Sequence, residues 1–297
     1  MKHILKKLLL PFIFLSLLTN TIKAEKKVLN IGAIPDQNQE LLDRRFNLLS
    51  NELSNQLNIK VRYVPVTNYF SAVTAFRTKN LDLVWFGGLT GVQARLQTPN
   101  SKVIAQRDID KKFKSVFIVN KKLKLQPAKK LTDLNNLKNL RLTFGSENST
   151  SGRLMPEYFL NKAGLKISDF YGNKTGFSGS HDATIALVNS GAYDVGALNK
   201  QILDNNLIKN KNRVKNIDVF FITPEYADYH WLAQGNLDKK FYDGFTIKLK
   251  NTFIALNQNN PIHKEILYLF NAKNFIEADA TQYQKIEAIG RKLKKIR

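Results

Sequence analysis

The sequence contains no cysteine. Disulfide bonds, thiolate metal ligands and a thiol nucleophile are therefore excluded, and so is a cysteine that could carry a lipid anchor. Acidic residues are also scarce, because 24 aspartates and glutamates stand against 46 lysines and arginines, for a formal net charge of +22. The positive charge is spread along the chain, and no nucleic-acid-binding motif accompanies it. We interpret it as a solvated lysine-rich surface that also steers anions toward a cleft.

Signatures of the common enzyme classes are missing as well. The sequence has no nucleophile elbow, no glycine-rich phosphate loop, no paired-histidine zinc motif and no dinucleotide fingerprint. Its four histidines are scattered, at positions 3, 181, 230 and 263. We therefore predict a protein that is not an enzyme, has no catalytic residues and needs no metal or other cofactor. A periplasmic phosphatase is the enzymatic alternative.

Long apolar runs are limited to the N-terminus. Lys2, Lys6 and Lys7 precede an apolar stretch at residues 8–18, and a more polar stretch ends at Ala24. This three-part pattern is typical of a secretory signal peptide, and the run is short for a membrane-spanning helix. We predict that residues 1–24 are a cleaved signal peptide and that the mature protein is periplasmic and not lipidated. A permanent membrane anchor is the alternative.

The rest of the chain alternates strand-like and helical patterns. Leu42, Phe46, Leu49, Leu53 and Leu57 recur at helical spacing after a β-rich run. Alternation of this kind predicts an α/β fold with mostly parallel sheets flanked by helices. We predict two lobes, one formed by residues 25–118 and 223–297 and the other by residues 119–222, joined by hinge strands at 116–120 and 220–224.

A polar segment at residues 145–152 is the most informative motif. It follows a predicted strand and opens a predicted helix, and Ser149, Thr150 and Ser151 place three hydroxyls beside the free N–H groups of the first turn. A helix N-terminus also carries a partial positive charge. Together these features favour a site for a small anion, whereas a simple helix cap is the alternative.

A second strand-to-helix junction lies at residues 85–90. Gly87 and Gly88 turn the chain there, and Thr90 supplies a hydroxyl. A third candidate is His181, which opens another predicted helix and can donate to an anion, cap the helix or pack. Because open α/β sheets bind ligands at the carboxyl ends of their strands, junctions from the two lobes are expected to face each other across a cleft.

Asp228 lies in a predicted loop after a strand. An ionised carboxylate accepts hydrogen bonds and cannot donate them, so beside an anion it needs a ligand that carries a proton. Phosphate-type groups have a second pKa of about 6 and can carry one, whereas sulfate-type dianions do not at neutral pH. If Asp228 belongs to the site, it favours a phosphorus oxyanion. A surface loop acid is the alternative.

Taken together, these segments resemble the periplasmic phosphate-, phosphite- and phosphonate-binding proteins of ABC transporters. The resemblance extends over about residues 28–238 and is carried by residues 31–35, 81–87, 115–120 and 149–152, by Ser180 and His181, and by the loop around Asp228. It implies the two-lobed, hinge-bending periplasmic-binding-protein fold. It also implies a membrane permease as partner, a monomeric state and no covalent chemistry.

The resemblance further implies roles for single residues. With Thr90 from the second junction, the expected ligand-binding residues are Tyr69, Thr90, Ser149, Thr150, Ser151, His181, Asp228 and Tyr229. The three hydroxyls and His181 hold oxygens of the anion, Tyr69 reaches in from the first lobe, and Asp228 accepts from the protonated oxygen. Tyr229 is an aromatic wall that suits a P–H or P–CH3 group.

Two departures from the family pattern bear on the ligand. Phe113 stands where phosphonate binders carry a tyrosine, so one hydroxyl is lost. Asn199 or Lys200 stands where a family acid contacts the amine of an aminoalkylphosphonate. Both favour a small ligand without an amine, and we predict a binding protein for phosphite or a small phosphonate such as methylphosphonate. The alternatives are another tetrahedral oxyanion, such as phosphate or selenate, and a sensory binding module.

Overall fold

The computed structural model of the protein describes residues 27–296, so the predicted signal peptide lies outside the described residues. The strands are β1 (Val28–Ala33), β2 (Lys60–Tyr63), β3 (Leu83–Phe86), β4 (Lys102–Arg107), β5 (Ser115–Asn120), β6 (Leu142–Phe144), β7 (Gly176–Phe177), β8 (Val195–Asn199), β9 (Ile217–Ile222), β10 (His230–Ala233) and β11 (Phe275–Glu277). The helices are α1 (Gln39–Leu57), α2 (Tyr69–Arg77), α3 (Gly88–Gln97), α4 (Met155–Lys162), α5 (His181–Ser190), α6 (Lys200–Lys209), α7 (Leu237–Lys240), α8 (Phe245–Ile254), α9 (Pro261–Leu269) and α10 (Gln284–Lys292). A π-helical turn over Thr150–Leu154 leads into α4. Within the described part of the chain, no helix combines the length and the apolar character that crossing a bilayer requires.

The strands form two sheets with helices packed against them. The first sheet has the strand order β11-β4-β10-β3-β1-β2, and the second has the order β7-β6-β8-β5-β9. In each sheet one half is parallel, as in the pairs β1–β2, β1–β3, β6–β7 and β6–β8. The other half is antiparallel and contains β10 or β5. The predicted α/β fold with two sheets is confirmed, but the sheets are mixed and not mostly parallel as predicted. The reason is that β10 and β5 each run antiparallel to both of their neighbours.

Helix α1 illustrates how the sequence pattern becomes packing. The five apolar residues that predicted it are at most 1% exposed. Asn38 caps its first turn by accepting from the N–H of Leu41, and Asn58 ends it in the left-handed conformation, at φ 53°. Burial of each leucine or phenylalanine side chain contributes about 1.5–3 kcal/mol, so this face fixes α1 against the first sheet.

The chain passes between the two sheets twice. The segment 108–114 joins β4 to β5, and the segment 223–229 joins β9 to β10. The two segments run side by side, because the N–H of Phe113 donates to the carbonyl of Tyr226 at 2.9 Å and the reverse bond is 3.0 Å long. Strands β5 and β9, which were predicted as hinges, pair with each other inside the second sheet. The crossings therefore lie at the ends of these strands.

Strand β10 is an element that the sequence reasoning did not find. The predicted loop around Asp228 extends to Trp231, but His230–Ala233 form an interior strand of the first sheet, and all four residues are buried. A four-residue strand buried on both faces shows no alternation of apolar and polar residues, so its pattern resembles that of a loop with scattered aromatics. His230 pairs with Phe86 in antiparallel register. The start of β10 therefore lies beside the end of β3.

Candidate anion-binding site

Four helical segments begin at the candidate site. Helix α2 starts at Tyr69, α3 at Gly88, α5 at His181 and the π-helical turn at Thr150. The first two follow strands of the first sheet, and the other two follow strands of the second. The first N–H groups of a helix have no partner within it and carry partial positive charge. The fold thus presents donors from both sheets to one place.

The three predicted hydroxyls are all buried at this place. Ser149 is 2% exposed, Thr150 2% and Ser151 1%. The Oγ of Ser149 accepts from the N–H of Gly152 at 2.9 Å, so its hydroxyl proton is available to another acceptor. The Oγ1 of Thr150 accepts from the N–H of Leu89 at 2.9 Å, a bond that links the two sheets through the first turn of α3.

Gly152 closes this loop tightly. Its carbonyl accepts from the N–H of Gly145 at 2.9 Å. A Cβ at position 152 would lie 3.1 Å from the Cα of Gly145 and 3.2 Å from the Cε1 of His181. A residue without a side chain is therefore needed here, because it lets residues 145–152, called the hydroxyl loop below, approach the start of α5.

His181 is fully buried and held in one tautomer. Its Nδ1 accepts from the backbone N–H of Asn199 at 3.4 Å, so the proton of the neutral ring lies on Nε2. Burial lowers the pKa of His181 and keeps the ring neutral. The Nε2 lies 3.5 Å from the Oγ of Ser151 and 3.4 Å from the hydroxyl of Tyr229. His181 thus presents an uncharged N–H donor to the site.

Asp228 is 1% exposed and lies just before β10. Its Oδ1 accepts from the N–H of Gly88 at 2.8 Å, while its Oδ2 is buried without a hydrogen-bond partner among the described residues. Burial raises the pKa of Asp228 to about 7, although bonds from Gly88 and Thr150 oppose the shift. At neutral pH the carboxyl group can therefore accept a proton from a ligand oxygen or donate one to it.

Tyr69 and Thr90 differ in whether their hydroxyl protons are available to a ligand. The hydroxyl of Tyr69 is buried without a hydrogen-bond partner among the described residues. Burial raises its pKa well above the ordinary value, so it stays a donor. Thr90 is fully buried, and its hydroxyl donates to the carbonyl of Gly87 at 3.1 Å. The proton of Thr90 is thus used within the first turn of α3, and only lone pairs remain for another contact.

Tyr229 has both a packing face and a polar end. Its ring stacks on Trp85 with centroids 5.5 Å apart, and the guanidinium carbon of Arg107 lies 4.9 Å from its centroid. Its hydroxyl donates to the Oδ2 of Asp36 at 2.9 Å. The predicted aromatic wall therefore also carries a hydrogen bond into the site.

Asp36 is a site residue that the sequence reasoning missed. It is 3% exposed, its Oδ1 is buried without a partner among the described residues, and its backbone carbonyl accepts from the N–H of His181 at 3.0 Å. It follows directly on the segment 31–35 that carried the family resemblance. The sequence signal that could have identified Asp36 is its position between a predicted strand and a predicted helix, as at the other strand-to-helix junctions.

The two departures from the family pattern have clear structural surroundings. Phe113 is 4% exposed, and its ring packs at 5.4 Å from the ring of Tyr229. Asn199 caps α6 by accepting from the N–H of Gln201 at 2.8 Å. Lys200 forms an ion pair of 2.6 Å with Asp204. Neither Asn199 nor Lys200 brings an acidic group to the site.

Comparison with known proteins identifies the family. A family model described as "ABC transporter, phosphonate, periplasmic substrate-binding protein" matches residues 31–283. The chain is 64% identical over 282 residues to the probable ABC transporter phosphite binding protein PhnD1 of Prochlorococcus marinus (strain MIT 9301), with 95% of each chain covered. It is 30% identical over 231 residues to the phosphonates-binding periplasmic protein of Escherichia coli (strain K12), covering 74% of this chain and 66% of that one.

A solved structure gives the same result. The structure of PhnD1 from Prochlorococcus marinus (MIT 9301) in complex with methylphosphonate superposes with a TM-score of 0.90 and 66% sequence identity. The superposition covers 91% of this chain and 99% of that chain. The fold and the family that the sequence segments suggested are confirmed. The chain belongs to the family of periplasmic substrate-binding proteins of phosphonate ABC transporters.

Proposed function

We propose that the protein binds phosphite or a small phosphonate such as methylphosphonate and delivers it to an ABC permease. Members of its family are binding components of transporters, so the prediction that the chain is not an enzyme is confirmed. The observation that carries the ligand proposal is Asp228, a buried carboxyl group with an unpartnered oxygen among donor groups. A site built only of donors would serve any oxyanion, whereas a carboxyl group with a free oxygen favours an anion that can share a proton with it.

Phosphorus oxyanions match Asp228 because the two groups can share one proton. The pKa of Asp228 is raised to about 7, and the second pKa of a phosphate-type group is about 6. Near neutral pH one proton therefore serves both, and the hydrogen bond forms whichever partner holds it. The hydroxyls of Ser149 and Tyr69 and the N–H of His181 are proposed to satisfy the remaining oxygens.

Phe113 and Asn199 favour a small ligand that carries no amine. Neither residue adds a carboxylate that could neutralise an amine. The ring of Tyr229 provides an apolar face for a P–H or P–CH3 group. The names of the similar proteins mention phosphite and methylphosphonate, and both ligands fit this description.

Another tetrahedral oxyanion is the second candidate, because the raised pKa of Asp228 also permits it. When Asp228 is protonated it can donate to a fully ionised anion such as selenate. In that case the protein supplies the shared proton, so the affinity for selenate falls as the pH rises above about 7.

Isothermal titration calorimetry with phosphite, methylphosphonate, phosphate and selenate at pH 7 tests the ligand proposal. We expect dissociation constants in the micromolar range or tighter for phosphite or methylphosphonate, and loss of binding in Asp228→Ala and Ser149→Ala. Ser146→Ala is the matched control, because its Oγ accepts only a long bond of 3.4 Å from the N–H of Asn148 in the same loop. Tight binding of selenate without any binding of phosphorus anions contradicts the assignment.

The proposal includes the route to the periplasm. The pattern of residues 1–24 and the absence of cysteine support cleavage of a signal peptide and release of an unlipidated protein. Intact-mass analysis of protein recovered from the periplasm is expected to give a chain that begins at Glu25. A mass that includes residues 1–24 contradicts this part of the proposal.

A further inference from the structure

The carboxylate of Asp36 holds the hydroxyl proton of Tyr229. The hydroxyl oxygen of Tyr229 and the Oδ2 of Asp36 are 2.9 Å apart, and both residues are buried. An ionised carboxylate accepts hydrogen bonds and cannot donate them, so the tyrosine is the donor. Burial and the nearby carboxylate of Asp36 raise the pKa of Tyr229 well above the ordinary value. The phenol therefore keeps its proton and directs it at Asp36.

Backbone bonds fix the position of Asp36. Its N–H donates to the carbonyl of Ile34 at 2.9 Å, and its carbonyl accepts from the N–H of His181 at 3.0 Å. The second bond joins the segment after β1 to the start of α5 in the other half of the molecule. These bonds hold the backbone of Asp36 at the point where its short side chain meets the hydroxyl of Tyr229.

The hydroxyl of Tyr229 lies among the donor groups of the candidate site. Its oxygen is 3.4 Å from the Nε2 of His181, and this Nε2 is 3.5 Å from the Oγ of Ser151. Because the proton of Tyr229 points toward Asp36, the oxygen presents only lone pairs to these groups. At Tyr229 the site accepts hydrogen bonds and does not donate them.

This polarity affects the fourth substituent of a tetrahedral ligand. Phosphite and methylphosphonate carry three oxygens and one P–H or P–CH3 group, whereas phosphate carries four oxygens. In the proposed function, Asp228 and the donors of the site bind three oxygens, and the remaining substituent faces Tyr229. A P–H or P–CH3 group needs no hydrogen bond there. A fourth oxygen meets lone pairs without a donor and loses the hydrogen bonds that it made to water.

We propose that Asp36 is a positioning residue that determines specificity. By holding the hydroxyl proton of Tyr229, it makes the site reject the fourth oxygen of phosphate in favour of a P–H or P–CH3 group. This inference rests on the proposed function, because it presupposes a ligand with three bound oxygens. Asp36 acts through Tyr229, so its effect on selectivity requires the hydroxyl of that residue.

The negative charge of Asp36 has a second effect, which does not distinguish between ligands. Burial lowers the pKa of Arg45, and the carboxylate of Asp36 opposes this shift, so the two side chains interact electrostatically. Removal of the carboxylate leaves the charge of Arg45 less compensated and strengthens the binding of any anion nearby. The ratio of the affinities for two anions of similar charge cancels this common effect. This ratio is therefore the quantity to measure.

The test is calorimetric titration at pH 8 with methylphosphonate and with inorganic phosphate. Asp36→Asn keeps the shape of the side chain and replaces the carboxylate by a neutral amide, which is a weaker acceptor than a charged phosphate oxygen. The hydroxyl of Tyr229 can then donate to the fourth oxygen of phosphate. We expect the affinity for phosphate, relative to that for methylphosphonate, to rise about tenfold.

Variants of Tyr229 separate this mechanism from a purely structural role of Asp36. The double variant Asp36→Asn with Tyr229→Phe has no hydroxyl to donate, so the affinity ratio is expected to return to that of the unmodified protein. Tyr229→Phe alone is expected to change both affinities by the same factor, because Asp36 already holds the proton. Asp243→Asn, at an exposed position, is the control for the loss of one negative charge and should leave the ratio unchanged.

Two results overturn the role of Asp36. One is an unchanged affinity ratio in Asp36→Asn, and the other is a selective loss of phosphate affinity in Tyr229→Phe, which would show that the hydroxyl already donates to the ligand. The second result does not require Asp36→Asn to fold, and melting temperatures show which variants are folded.

Titration of the unmodified protein separates this inference from the proposed function. If neither methylphosphonate nor phosphite binds, the proposed function is contradicted, and the role of Asp36 is contradicted with it. If they bind and the affinity ratio stays unchanged in Asp36→Asn, only the role of Asp36 is contradicted.

Discussion

At the scale of single residues, the site is governed by how burial changes proton affinity. Asp228, His181 and Tyr69 are all buried, and each is shifted toward its uncharged form by loss of hydration. In their uncharged forms these three groups add no negative charge that would repel an anion. The same burial makes binding and stability depend on pH through Asp228.

Ligand affinity is expected to fall as the pH rises above about 7. In the complex, Asp228 and the ligand share one proton, and above both pKa values that proton must be taken up from water. The affinity then decreases by about tenfold per pH unit. Calorimetry in buffers of different ionisation enthalpy should show proton uptake approaching one per ligand at pH 8.5.

Asp228→Asn is the control for this pH dependence, because the amide can donate to a fully ionised ligand without a proton from water. We expect a nearly flat affinity above pH 7 in this variant. A flat profile in the unmodified protein between pH 6 and pH 9 would exclude the shared proton.

The stability of the ligand-free protein is expected to decrease between about pH 4 and pH 7 through the same group. A carboxyl whose pKa is raised in the folded state is neutral in both states at low pH. Stability then falls as the pH rises from the unfolded pKa, where the unfolded chain loses its proton, to the folded pKa. A shift from 3.8 to about 7 corresponds to about 4 kcal/mol.

Denaturant unfolding of Asp228→Asn measures this effect. The variant should exceed the unmodified protein in free energy of unfolding by about 2–4 kcal/mol at pH 8 and match it near pH 4. Asp243→Asn, at an exposed position, is the control and should show no such difference. Equal stabilities of Asp228→Asn and the unmodified protein at pH 8 would mean that the carboxyl group is well solvated.

At the scale of elements, the site depends on strand-to-helix junctions whose first residues are packed closely together. The junction between β3 and α3 shows this best. Gly87 has an ordinary backbone conformation, at φ −76° and ψ 165°, so its lack of a side chain is a matter of space. A Cβ there would lie 3.2 Å from the Oγ1 of Thr150 and 3.3 Å from the Oδ1 of Asp228.

Gly87→Ala is therefore expected to hinder the approach of α3 to the hydroxyl loop. We expect about tenfold weaker ligand binding, since overpacking of a tight site costs about 1–3 kcal/mol. Gly88→Ala is the matched control, because its Cβ would meet the carbonyl of Ala227 at 3.3 Å and Ile286 at 3.5 Å. It should lower the melting temperature similarly and affect affinity less. An unchanged affinity in Gly87→Ala would show that the junction has room to relax.

Local patterns explain which elements could be predicted. The hydroxyl loop and the start of α5 could be predicted because the serines and glycines that mark the start of a helix lie within a few residues of it in the sequence. Asp36 was not readable, because its partner Tyr229 is 193 residues away. Strand β10 was missed since a short, fully buried strand has no periodic signal. Local sequence patterns therefore do not predict contacts between residues that are distant in the sequence.

At the scale of the whole molecule, the two halves are joined by two short crossings and by bonds across the cleft. The N–H of Leu89 donates to Thr150 at 2.9 Å, and the N–H of Asn38 donates to Asp182 at 3.0 Å. These bonds connect elements of the first sheet to elements of the second. Because such bonds form only when the two halves are together, we expect the balance between open and closed arrangements to respond to a ligand that binds between them.

Thr150→Val tests this balance, because it keeps the shape of the side chain and removes its hydroxyl. The N–H of Leu89 then loses its acceptor on closure, at a cost of about 1–3 kcal/mol. We expect at least tenfold weaker ligand binding. Small-angle scattering should show a smaller ligand-induced decrease in the radius of gyration than in the unmodified protein, where hinge closure is expected to make the molecule more compact.

Thr132→Val, at an exposed position, is the control for this substitution and should behave like the unmodified protein. Full closure and full affinity in Thr150→Val would show that the bond to Leu89 does not contribute to the closed arrangement.

The position of β10 also sets an order in which the protein can fold after export. Residues Trp85 and Trp231 are paired in the first sheet, so the edge of β3 stays open until the chain as far as Trp231 is available to fold. That edge consists of four buried apolar residues, which makes it a template for wrong pairing while it is exposed. The second sheet, whose strands are contiguous in sequence between β5 and β9, can form first. The half that begins the chain is therefore completed last. We expect its open β3 edge to be the segment of the newly exported chain that a periplasmic chaperone binds.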